Sequence, residues 1–211
     1  MTASAGRRPG TSAVRTVVKV GGGLLSQAGA FDLVTSALAA FAKGQRTLVV
    51  PGGGPFADAV RELARRMRIS EDAAHWMAVL GMDQYAQALA ARTAGAVVVE
   101  ELRDIERALE AGAIPVLAPY RWLREADPLP HAWGSTSDSV AAWVAGEVGA
   151  KRIVLIKPVK TSPATVVDPQ VRDALPADVD TVVLTPHELE KLNDALGGRA
   201  EGGGPRSAHY G

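Results

Sequence analysis

Six short runs set the fold of this chain: TVVKV (16–20), TLVVP (47–51), AVVV (96–99), IPVLA (114–118), RIVLI (152–156) and TVVLT (181–185). Each is apolar at nearly every position rather than at every second one. A strand with one solvated face alternates; an almost unbroken apolar strand has both faces covered, as in a parallel sheet between two helical layers. The stretches between the runs carry helix formers over 31–42, 55–68, 71–93, 105–111, 137–148 and 186–196. Pro55 suits a first helical position, and Ser70 before Glu71 and Asp72 suits an N-cap with an acidic first turn. The alternation predicts an α/β three-layer αβα sandwich with a mainly parallel central sheet.

The 211 residues, 47% of them hydrophobic, suffice for one substantial core. We expect a single domain over 14–197, with a flexible tail at 1–13 and another at 198–211, both rich in glycine and small polar residues. The 23 basic side chains balance 23 acidic ones. Without a long-range positive field, neither nucleic acid nor a membrane is expected as a partner, and any bound anion must be held locally. Absence of cysteine excludes thiolate metal sites and fits a cytoplasmic location. No signal-like or membrane-length apolar run is visible.

Two glycine triplets interrupt this pattern. KVGGGLL (19–25) and VVPGGGPFADAV (49–60) each follow a strand and open toward a helix. There, backbone N–H groups favour an anion and glycine lets a phosphate come close. The plainer reading makes each triplet a βα turn, but two of them, with Lys19 beside the first, suggest a pair of phosphate cradles. A P-loop is excluded, because neither triplet is followed by Lys and Ser or Thr. Gly52, Gly54 and Ala57 satisfy a loose dinucleotide spacing, with Glu71 and Asp72 about 20 residues on. That reading would make the chain a nicotinamide-dependent oxidoreductase, yet it falls on the second βα unit and leaves Lys19 unexplained. A third element, PLPHAWGSTSDSVAAWVAG (128–146), sets Ser137 as an N-cap and Asp138 in a first turn. Capping alone accounts for both. Beside two cradles and a strand-borne lysine, however, a carboxylate can also orient an ammonium group.

Taken together, the strand-Lys-x-Gly-Gly unit, the second strand with its glycine triplet, the Ser-Asp-Ser-x-Ala-Ala helix start and RIVLIKPV resemble the amino acid kinase superfamily over residues 14 to 168. AHWMAVLGMDQYAQALA (74–90), LPHAWGSTSDSVAAWVA (129–145) and VVDP (166–169) are most similar to its small archaeal and methylotroph kinases of methanofuran biosynthesis, which act on an aminomethylfuran-methanol phosphate.

The resemblance implies ATP and Mg²⁺ as cofactors, a small-molecule phosphate as substrate, and a homodimer or higher homo-oligomer formed through a helix like 71–93. It implies Lys19, Asp138 and Lys157 as catalytic residues, with Asp138 organising the lysine because an acceptor phosphate is already ionised. Gly21, Gly22, Gly23 and Lys160 would hold the nucleotide; Gly52, Gly53, Gly54, His75 and Ser137 would hold the acceptor. No protein-borne metal ligands are implied. The chain departs from the superfamily in reading LIKPVKTSP where many members have Thr-Asp-x-x-Gly, and in lacking a later Gly-Gly-Met-x-x-Lys segment. Lys157 or Lys160 would then supply the second cation, and the adenine pocket would be abbreviated. The alternatives are a superfamily kinase for another acceptor (uridylate, isopentenyl phosphate or an amino acid carboxylate) and, raised by this departure, a nucleotide-binding protein without catalysis. Helical spacing puts His75, Trp76, Val79 and Asp83 on one face. Residues alone give Trp76 and Tyr85 as core or dimer contacts. His131, beside Trp133, is expected to be structural.

Overall fold

The computed structural model describes residues 13–132, 136–159 and 178–197. All six apolar runs are strands: β1 (Thr16–Val20), β2 (Thr47–Pro51), β3 (Ala96–Val99), β4 (Ile114–Leu117), β5 (Arg152–Ile156) and β6 (Asp180–Leu184). They form one sheet in the order β3-β4-β2-β1-β5-β6, and every pairing is parallel. The four inner strands are buried almost throughout. Edge strands β3 and β6 are only partly covered, so their apolar runs overstate their burial.

The helices are α1 (Ala30–Phe41), α2 (Gly54–Met67), α3 (Glu71–Arg92), α4 (Leu102–Glu110), α5 (Tyr120–Ala126), α6 (Ser137–Glu147) and α7 (Leu192–Ala195). Ser70 caps α3 as expected, its hydroxyl accepting from the Ala73 amide. Ser137 is instead the first residue of α6, with Thr136 at the cap position. The stretch 186–196 is a 3₁₀ turn (Pro186–Lys191) running into α7, rather than one α-helix. Helix α5 lacks a cap residue in sequence because its cap comes from elsewhere: the Tyr120 amide donates to Asp83 Oδ1 of α3 at 3.0 Å.

Two apolar clusters lie on opposite faces of the sheet. One gathers Val18, Val20, Val34, Leu38 and Leu192, the other Val17, Ile105, Val140, Val144 and Ile153. Successive β1 residues therefore divide between the clusters, the period-two geometry of a strand. Helix α3 contributes Tyr85 and Leu89 to the first cluster and Trp76, Val79 and Met82 to the second. Its apolar residues consequently run all round it. None of the described helices is long and apolar enough to cross a membrane.

Candidate active site

Strand β1 lies at the centre of the sheet between β2 and β5, and its order partners run outward in opposite directions. Crevices for ligands in open α/β sheets form at such a switch point, outside the carboxyl ends of the strands. Lys19 is the penultimate residue of β1 and shares the Val17 face, the one that α6 covers. It is only 5% exposed. The start of α6 delivers Asp138, and the residue just past β5 delivers Lys157. Lys19 Nζ lies 2.6 Å from Asp138 Oδ1, and Lys157 Nζ lies 2.6 Å from Asp138 Oδ2. One buried carboxylate thus bridges two lysines, and the formal charges of the trio sum to one positive.

Burial pushes the Lys19 pKa down, against the charge and hydrogen bonding of Asp138. For Asp138 burial acts to raise the pKa, but the charge of Lys19 and the hydrogen bonds from Lys157 and Lys19 outweigh it and hold the carboxyl below its ordinary range. The pairing therefore favours the carboxylate as an anion held between the two lysines.

The two glycine loops pack against each other. A Cβ on Gly22 would come within 2.2 Å of the Gly54 nitrogen, and one on Gly52 within 2.5 Å of the Gly22 nitrogen. Gly54 also has φ +55°. Glycine is required here by backbone-to-backbone approach as well as by turn conformation. The Gly21 and Gly52 amides are taken up by the sheet, donating to Ile156 and Val20 carbonyls at 2.8 Å. Gly22 opens a 3₁₀ turn (Gly22–Ser26) and Gly54 opens α2. Amides in such first-turn positions have no acceptor within their own helix and can face an anion. Pro55 takes the second position of α2 and gives up no hydrogen bond there. Tyr85, fully buried, donates from its hydroxyl to the Gly21 carbonyl at 3.3 Å. Tyr85 and Trp76 are both buried in the core of the chain.

A pocket of about 100 Å³ opens beside the second loop. It is lined by Gly53, His75 and Ser137, and also by Arg61, Thr136 and Met82. The fold thus brings three of the five residues expected on the acceptor side into one cavity, with Gly52 and Gly54 in the adjoining loop. Sequence reasoning missed Arg61 and Thr136. Arg61 lies two helical turns beyond Gly54 on α2, a spacing that would have placed it over the loop. The Thr136 hydroxyl is buried and has no hydrogen-bond partner among the described residues. Lys160, Trp133 and VVDP lie outside the described residues.

Glu71 and Asp72 open α3 rather than ending a strand, and Asp72 is engaged by His131 at 2.6 Å. This removes the ribose partner that a dinucleotide site would need.

The sequence pattern of the Amino acid kinase family matches residues 14–161. A relative from Methanocaldococcus jannaschii, [5-(aminomethyl)furan-3-yl]methyl phosphate kinase, is 28% identical over 141 residues. The match covers 66% of this chain and 63% of that relative, so the chain spans less than two thirds of its length. Among solved structures, uridylate kinase from Archaeoglobus fulgidus superposes with a TM-score of 0.66 at 16% identity, over 89% of this chain and 97% of the other. UMP kinase from Ureaplasma parvum gives 0.69 at 15% identity, over 87% and 96%. At these identities the two kinases share the fold. With the family pattern extending from β1 through the lysine that follows β5, and the central parallel sheet arranged as in those kinases, the chain belongs to the amino acid kinase family.

Proposed function

We propose that this protein is an ATP-dependent kinase that phosphorylates a phosphate monoester, with aminomethylfuran-methanol phosphate as the acceptor and its diphosphate as the product. The observation that carries the reading is the buried Lys19–Asp138–Lys157 trio with its residual positive charge, set against two glycine loops free of Cβ atoms. A buried net charge calls for a counter-charge, and a phosphoryl group supplies one. The acceptor class rests on the methanofuran-like segments and on the M. jannaschii relative.

ATP, when bound, supplies the γ-phosphoryl group. Lys19 and Lys157 neutralise charge on its oxygens, and the Gly22 and Gly23 amides position it. An ionised oxygen of the acceptor phosphate forms the new P–O bond as the bond to the β-phosphate oxygen breaks, giving ADP. No protein group need remove a proton, so catalysis is positioning and electrostatics. Among the described residues no three His, Asp or Glu side chains gather to hold a metal ion. Mg²⁺ would be carried by the nucleotide's phosphates.

Incubating the purified chain with Mg-ATP and aminomethylfuran-methanol phosphate, uridylate, isopentenyl phosphate or an amino acid, and following ADP release, tests the reading. Turnover on the furan phosphate is expected. Turnover only on another acceptor would overturn the substrate assignment, and ATP binding without turnover on any would favour a non-catalytic nucleotide-binding protein. We also propose a homodimer built on α2 and α3, whose Leu63, Met67 and Leu80 side chains are exposed.

A further inference from the structure

His131, expected from sequence to be a structural histidine, sits at the centre of an unusual arrangement. Its Nδ1 lies 2.6 Å from Asp72 Oδ1 on the first turn of α3, and its Nε2 lies 2.7 Å from Asp127 Oδ1 just after α5. An ionised carboxylate only accepts hydrogen bonds. Both ring nitrogens must therefore carry protons for both contacts to form, which makes His131 an imidazolium. Its ring stacks on that of His75, with centroids 4.5 Å apart and planes 20° apart. Trp76 packs edge-on against both histidines, and the Arg124 guanidinium covers the Trp76 ring at 4.5 Å. His75 in turn lines the pocket beside Gly53 and Ser137.

We propose that the Asp72–His131–Asp127 clamp is a positioning device for the acceptor pocket: it holds a cationic ring against His75, so that His75 meets the acceptor as a neutral imidazole and accepts a hydrogen bond from it. This rests on the reading of that pocket as the acceptor site. The charged groups around His75 are Asp72 on its own helix, Asp127 after α5, His131 beneath its ring, Arg124 over the neighbouring Trp76 and Arg61 on the pocket wall from α2; of these, His131, Asp127 and Asp72 act on it. Burial and then the charge of His131 disfavour protonation of His75, against the weaker pull of Asp127 and Asp72. The hydrogen bond to Asp127, and that to Asp72, hold the His131 proton above the ordinary histidine range. Thr136 adds a buried hydroxyl, and the remainder of the wall is apolar, with Ala78, Val79, Met82 and Val140. Such a pocket selects a phosphate ester whose body is small and mainly apolar and carries one hydrogen-bond donor, an ammonium or a hydroxyl.

Titration of the histidine side chains by ¹⁵N NMR, with kinetics on the same samples, tests this. In the wild-type protein His75 should titrate below, and His131 above, the ordinary value of about 6.5. His131→Phe keeps a flat ring but loses the cation and frees both carboxylates, so the His75 midpoint should rise. Asp127→Asn, a milder change, should lower the His131 midpoint; it also removes a charge that favours protonated His75, so the effect of the clamp on His75 is read from His131→Phe. At pH 6 His131→Phe should raise the acceptor KM about five- to tenfold, the scale of one lost hydrogen bond, with the ATP KM unchanged. The defect should fade as the pH rises and His75 loses its proton again. Structural damage would give a defect that persists at every pH, and that result overturns the proposal, as does a His75 midpoint that His131→Phe leaves unmoved or a His131 midpoint that Asp127→Asn leaves unmoved. If wild type turns over no acceptor, the kinase reading fails, while the NMR midpoints still decide the clamp.

Discussion

Lys19 occupies a position that packing would give to valine, and the cost of burying its charge is offset by Asp138, which it meets at 2.6 Å. If it stabilises the transferred phosphoryl group, Lys19→Ala should lower kcat by about 10²-fold or more, the scale of losing one preorganised donor. From sequence, Asp138→Asn is expected to behave like Lys19→Ala, because an amide keeps the helix start but cannot hold an ammonium group by charge. The observed trio separates the two variants. Removing Lys19 leaves Asp138 still paired with Lys157, whereas removing the carboxylate charge leaves two ammonium groups facing each other. Both variants should lose activity, but Asp138→Asn should also cost about 3–5 kcal/mol of stability, as for a broken buried pair, with a smaller loss for Lys19→Ala. Thermal denaturation alongside kcat measures this; equal stability losses would contradict the bridging role. The pairing of Lys157 was legible only as a choice between two lysines, because sequence could not say that the strand before residue 157 lies directly beside β1.

At the scale of elements, the glycine loops tie β1 to β2 and the sheet to α2. Gly22→Ala should displace both loops, since its Cβ would meet Gly54 backbone at 2.2 and 2.6 Å and no flexible side chain can yield. We expect loss of turnover and about 1–3 kcal/mol of stability from overpacking. Gly29→Ala is the matched control: φ is +75° there, but its Cβ would meet nothing within 4 Å. It should cost about 1–2 kcal/mol from left-handed strain and leave kcat unchanged. Activity and chemical denaturation of both variants test the distinction, and an active Gly22→Ala would detach the loop contact from function. The triplets themselves were plain in the sequence. Their contact with each other was not, since residues 22 and 54 meet only because β1 and β2 pair in parallel and register. Helix α5 was missed for a similar reason, its first amide being satisfied by Asp83 from α3.

For the whole molecule, a second copy packed on α2 and α3 would cover Leu63, Met67 and Leu80, of which Met67 is 66% exposed. Light scattering at micromolar concentration should give a dimer, and Met67→Glu with Leu80→Glu should give a folded monomer; a monomeric wild type would refute this interface. The sequence by itself determined the layered parallel sheet, because nearly unbroken apolar runs joined by helical segments leave few other ways to cover both faces of each strand. It also singled out the residues proposed to carry chemistry, through a lysine where a core residue belongs and glycines beyond what turns need. Tertiary structure decided who meets whom. Strand order set β5 beside β1 and so brought Lys157 to the carboxylate that Lys19 also holds. The packing of α5 against α3 carried His131 to Asp72, 59 residues away in the chain. Local patterning records the surroundings of each residue, whereas the partner of a charge depends on chain crossings that no local pattern encodes.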